Sequence, residues 1–128
     1  MDIKPKSFQN EYETTFIVNP DLPGDEHKKA VDKFVKLIED NGGTIHNVER
    51  WGVRRMAYSI NRHRSGYYAY IEFRGNAEFI EKLEQNYRYD EQIIRYLTVK
   101  LDKHAVAFNN KRRELGFGLR KEVTKVSE

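Results

Sequence analysis

Between residues 50 and 64 the chain carries five arginines, Arg50, Arg54, Arg55, Arg62 and Arg64, and no carboxylate. A planar guanidinium offers forked donors that match a phosphate group, and it releases counterions when it neutralises a nucleic-acid backbone. Five of them on one short segment concentrate positive potential and point to phosphate contact. The plain alternative is an exposed strand whose arginines are merely solvated, and a basic patch also attracts acidic proteins. Aromatic residues interleave with the arginines: Trp51, Tyr58, Tyr67, Tyr68 and Tyr70. Such rings stack on bases when exposed and fill a core when buried.

No other set of residues points to chemistry. The four histidines, at positions 27, 46, 63 and 104, lack the spacing from which one element builds a metal site, and no cysteine helps them. Gly116-Phe117-Gly118 lacks the third glycine of a dinucleotide loop, follows no strand and opens no helix. The neighbouring carboxylates Glu11 and Glu13, or Glu81 and Glu84, are better read as solvated charges than as an acid-base pair. Ser7, Ser59, Ser65 and Ser127 sit in no nucleophile-elbow motif. No enzyme, cofactor or metal is expected.

A length of 128 residues suits one domain. Its charge is divided unevenly: residues 1–101 hold 16 basic and 16 acidic side chains, whereas residues 102–128 hold 7 and 4, so the whole excess lies in the tail. The absence of cysteine fits a reducing compartment, and no apolar run resembles a signal sequence or a membrane span. A cytoplasmic location, with no membrane partner and no small-molecule substrate, is the expectation.

The elements that must position the arginines follow from periodicity. Tyr12 to Asn19 reads as a strand that stops at the turn formers Asn19-Pro20-Asp21-Leu22-Pro23-Gly24. Asp25 is a candidate cap for a helix carrying Val31, Phe34, Val35 and Ile38 at helical spacing, with Asn41-Gly42-Gly43 as its stop. Thr44 to Ile60 predicts a long strand, bent at Trp51-Gly52 and projecting beyond its neighbours. Asn61 to Gly66 predicts a basic turn, and Tyr67 to Phe73 the returning strand, with Arg62, His63 and Arg64 at the hairpin tip. Alternation puts Tyr67, Ala69, Ile71 and Phe73 on the core side of that strand and Tyr68 and Tyr70 on the other. Asn76 can cap a second helix with Ile80, Leu83 and Tyr87 on one face, and Ile93 to Leu101 completes the set as a strand.

The resulting order, β-α-β-β-α-β, predicts an α+β chain of the ferredoxin-like split β-α-β type, a four-stranded antiparallel sheet with two helices on one face. Residues 1–11 are expected to form a flexible leader, residues 12–101 the domain, and residues 102–128 an extended basic tail that orders on binding.

The stretch Trp51-Gly52-Val53-Arg54-Arg55-Met56-Ala57-Tyr58-Ser59-Ile60, followed by Gly66-Tyr67-Tyr68, resembles the signature of bacterial small-subunit ribosomal protein six. Tyr12-Glu13-Thr14 with Val18-Asn19-Pro20, and Ile94-Arg95-Tyr96-Leu97-Thr98-Val99-Lys100, match the same family in order and spacing. The resemblance spans roughly Tyr12 to Leu101. It implies a structural protein that binds the central domain of small-subunit ribosomal RNA, on the platform, together with ribosomal protein eighteen. Arg54 and Arg55 match the family's basic pair, and Arg95 and Lys100 match basic positions of its fourth strand.

The chain departs from the family in two places. Asn10 and Glu11 stand where the family often has basic residues, leaving Lys4 and Lys6 as substitutes, and Ser59 replaces the usual proline. In the tail, Lys111, Arg112 and Arg113 suit RNA or an acidic groove. Two other functions remain open for such a fold: an RNA-recognition module presenting strand aromatics to single-stranded RNA, and a small-molecule regulatory domain. Ser65-Gly66-Tyr67-Tyr68-Ala69-Tyr70-Ile71-Glu72-Phe73 only loosely fits the first, and no pocket motif supports the second.

Overall fold

In the computed structural model, residues 9–60, 62–102, 105 and 107–109 are described. The elements are β1 (Gln9–Val18), α1 (Glu26–Asp40), β2 (Thr44–Ile60), β3 (His63–Asn76), α2 (Ala77–Tyr89) and β4 (Ile93–Leu101). They form one four-stranded antiparallel sheet in the order β2-β3-β1-β4. The expected α+β, ferredoxin-like arrangement is therefore present.

One face of the sheet is dry because both helices lay an apolar stripe on it. Val31, Phe34 and Ile38 of α1 and Phe79, Leu83 and Tyr87 of α2 are buried against Tyr12, Phe16, Val18, Ala69, Ile71 and Phe73. The centre is a ring cluster: Phe34 lies 5.3 Å from Phe16 and 4.5 Å from Tyr87, and Phe16 lies 5.2 Å from Tyr87, all tilted. Tilted aromatic pairs at these distances add to the area they bury. Burial pushes the Tyr87 phenol far above its usual range. Its hydroxyl is satisfied by Thr14 at 3.0 Å, which also meets Thr98 at 2.8 Å, so a short polar chain crosses the core and ties α2 to β1 and β4.

Helix α1 ends as its sequence demands. Gly42 takes a left-handed φ of +86°, which glycine adopts without a Cβ penalty, and the Gly43 amide donates to the Ile38 carbonyl at 2.9 Å. At the other ends, Asp25 and Asn76 occupy the N-cap positions but neither makes a side-chain cap hydrogen bond.

Three boundaries differ from the sequence reading. β1 begins at Gln9, three residues before Tyr12, because Gln9, Asn10 and Glu11 continue the ladder opposite Asn76, Gly75 and Arg74. β3 runs from His63 to Asn76, extending both ends of the expected Tyr67 to Phe73. The turn is correspondingly shorter: Ile60 pairs with His63, and Arg62 takes a left-handed φ of +71°. Strand propensity continues through His63, Arg64 and Ser65 because β2 supplies a ladder partner for them. The leader before residue 9 and most of the tail, including Lys111, Arg112 and Arg113, lie outside the described residues.

Candidate nucleic-acid interface

The register explains how the arginines come to project. Val18, the last residue of β1, sits opposite Tyr67, whereas β2 and β3 go on pairing through Arg54 with Gly66 and Arg55 with Ser65 to Ile60 with His63. Beyond Tyr67 the sheet therefore narrows to a two-stranded ribbon, whose β3 portion of four residues, His63 to Gly66, spans roughly 13 Å, while β2 bulges between Arg55 and Ile60. The bend foreseen at Trp51-Gly52 is a register shift between Arg50 and Gly52, with Gly52 at φ +82°.

The ribbon is anchored at its base. Ile17, Met56 and Tyr68 form a second buried cluster on the face away from the helices, with Trp51, Ile60 and Ile94 against it. Gly66 is required there, because a Cβ at that position would run into the Ile17 side chain. Arg54 shares the face of Met56 by alternation, and Arg55 points to the opposite side. Arg55, Arg62 and Arg64 are exposed and Arg54 is half-buried, its Nη1 donating to the Val53 carbonyl at 3.3 Å. Among the described residues none of these four forms an ion pair. The ribbon thus presents guanidinium groups on both sides.

Arg50 is a different case. Its Nη2 meets Asp32 Oδ1 at 2.6 Å, so this guanidinium braces β2 against α1 instead of joining the other four. Arg95 and Lys100 lie on β4, at the far edge of the sheet from β2, and also form no ion pair among the described residues. The expected basic residues therefore divide between two edges.

Of the five interleaved aromatics only Tyr58 is offered to solvent, at 65% exposure. Trp51 stacks against Tyr68 and Tyr70 with centroids 6.3 and 6.0 Å away, and its indole Nε1 donates to Glu49 Oε1 at 2.8 Å. Tyr68 and Tyr70 are buried, and the Tyr70 hydroxyl donates to Glu13 Oε1 at 2.9 Å. Tyr67 stacks on His27 at 4.7 Å. With its tyrosines buried and Glu13, Glu49 and Glu72 around them, the open face is unsuited to stacking RNA bases.

Sequence reasoning missed two kinds of surface residue. Arg88, exposed, donates to the Tyr96 hydroxyl at 3.3 Å, a contact that raises the guanidinium pKa, and the adjacent Tyr89 is 76% exposed. Leu97 and Val99 are exposed on β4, and the alternation of that strand was the signal that could have marked them. Among the described residues no cluster of His, Asp or Glu could hold a metal, and no helix is long and apolar enough to cross a membrane.

The family model for ribosomal protein S6 matches residues 11–100, which is most of the chain. The chain belongs to the ribosomal protein S6 family. It is accordingly a structural protein of the small ribosomal subunit and not an enzyme. Small ribosomal subunit protein bS6 of Porphyromonas gingivalis is 46% identical over 83% of this chain and 91% of its own length. The bS6 protein of Phocaeicola vulgatus is 44% identical over 83% of this chain and 93% of its own length. The crystal structure of 30S ribosomal protein S6 from Thermotoga maritima superposes with a TM-score of 0.71 at 33% identity, covering 84% of this S6-family chain and 98% of the other. The projecting arginine ribbon is therefore carried on an S6 domain.

Proposed function

We propose that this S6-family chain binds the central domain of small-subunit ribosomal RNA, on the platform, together with ribosomal protein eighteen, within the cytoplasmic ribosome. The single observation that supports this most is the ribbon beyond Tyr67, where Arg54, Arg55, Arg62 and Arg64 project on a two-stranded extension and form no ion pair among the described residues. Guanidinium groups held away from the chain's own acids retain their full capacity for phosphate. Arg95 and Lys100 supply a second set of contacts at the opposite edge, and Lys111, Arg112 and Arg113 a third. Tyr58 stands beside the ribbon arginines as a ring that can stack on a base. Arg50 acts mainly inside the molecule.

Residues 1–101 carry no net charge, so long-range attraction to RNA is weak and a partner protein has to supply part of the interface. In a binding titration the chain alone is expected to hold the central-domain RNA weakly, and protein eighteen to tighten it. Equal affinity with and without that protein contradicts the partnership. The wider reading is tested by sedimentation: the tagged chain should remain with small subunits through a high-salt wash, and release into the soluble fraction would contradict it.

A further inference from the structure

Strand β4 is an outer strand of the sheet, and among the described residues no backbone group pairs with its far side. It runs nine residues without proline, and its one irregularity lies toward β1, at the Ile17/Val18 step. Register puts Arg95, Leu97, Val99 and Leu101 on the open face, and Tyr96, Thr98 and Lys100 on the helix face. Leu97 is 65% and Val99 42% exposed. Protected edges carry proline, bulges or charges; this edge has no proline and no bulge toward solvent, and its two charges, Arg95 and Lys100, stand near the ends of the strand with Leu97 and Val99 between them.

We propose that the β4 edge pairs with the same edge of a second copy of the chain, antiparallel about a two-fold axis at Thr98. The argument is self-complementarity. In that register Leu97 of each copy lies opposite Val99 of the other, so the most exposed aliphatic side chains of the strand cover one another twice. Tyr96 lies opposite Lys100, where ring and ammonium attract, and Arg95 lies opposite Leu101. No like charges face each other across the seam. The opposite edge of the sheet lacks this property, since β2 carries Arg50, Arg54 and Arg55 within six residues. A two-fold axis closes the assembly at a dimer with one continuous sheet, whereas a head-to-tail contact would grow into a fibre. One strand pair covers much less than the roughly 1,200 Å² of a stable complex, so the dimer is weak and forms at high concentration. The pairing leaves the arginine ribbon free, because the ribbon stands on the other edge, while Arg95 and Lys100 lie within the paired strand itself.

Sedimentation velocity of the full chain across a wide concentration series tests this. The wild-type chain is expected to pass from monomer to dimer as concentration rises. Leu97→Glu, at an exposed position that leaves the fold intact by circular dichroism, should weaken the dimer about tenfold by placing a carboxylate opposite Val99 at both symmetric pairs. Adding Val99→Lys to Leu97→Glu should restore association at low salt, because a carboxylate then meets an ammonium twice, and the new lysine also lies beside Glu13 of β1. A wild-type chain that stays monomeric at every concentration, or a Leu97→Glu variant that associates as well as wild type, overturns the proposal. A double variant that stays as weak as Leu97→Glu overturns the register at Thr98.

Discussion

Replacing Arg54 and Arg55 together by alanine separates contact with RNA from support of the fold. Both side chains leave β2 beyond the last residue of β1, and neither forms an ion pair among the described residues, so their removal costs the domain little. Each phosphate neutralised contributes about 0.7 to 0.9 to the slope of log K against log salt. Removing both guanidinium groups should therefore flatten the slope by about 1.5, and extrapolation from 1 M to 0.1 M salt makes this about a thirtyfold loss of affinity at the lower salt. Arg50→Ala is the internal control. Its pair with Asp32 at 2.6 Å is partly exposed, so breaking it should cost about 0.2–1 kcal/mol of stability and leave the salt slope nearly unchanged. The assay is a filter-binding titration of central-domain RNA at several salt concentrations, with protein eighteen present, beside urea denaturation of each variant. An unchanged slope for Arg54→Ala with Arg55→Ala, or a larger slope change for Arg50→Ala, would refute the reasoning.

Three further outcomes follow from the core. Phe16→Ala removes the ring that touches Phe34 and Tyr87 and should destabilise the domain by about 3–5 kcal/mol in denaturant unfolding, enough to leave much of it unfolded. Gly66→Val should be destabilising out of proportion to its size, because its side chain would occupy the place of Ile17, and a wild-type urea midpoint would show that the ribbon base is looser than described. Burial raises the Tyr87 pKa above the ordinary value of 10.0, so the unfolded chain loses that proton first as pH rises. Stability should then be intact below about pH 10 and fall above it by up to about 1.4 kcal/mol per pH unit from this group, and Tyr87→Phe should blunt the alkaline fall.

The fold was largely legible because its signals are local. Val31, Phe34 and Ile38 mark one face of α1, Gly42 marks its end, and the Tyr67-Ala69-Ile71-Phe73 alternation marks the buried side of β3. The short turn was not legible, since His63, Arg64 and Ser65 have turn-like composition and become strand only through pairing with β2. At the candidate site the spacing of the arginines was plain, but their separation was not. Arg50 differs from its neighbours because Asp32, eighteen residues away, reaches it across the α1–β2 packing, which no window of sequence shows. The fate of the aromatics was equally hidden: Tyr68 and Tyr70 point away from the helices as alternation requires, yet they are buried by Trp51 and the cluster around Ile17.

The central claim is that the ribbon beyond Tyr67 lies against RNA in the assembled particle. The chain has no cysteine, so Ser59→Cys, at an exposed position of β2, gives a unique attachment point for an iron chelate that cleaves nearby RNA. When the derivatised chain is assembled into small subunits, cleavage is predicted at a few nucleotides of the central domain, and it should weaken when Arg54 and Arg55 are alanine. Cleavage confined to another domain, or none from a chain shown to be incorporated, would contradict the account.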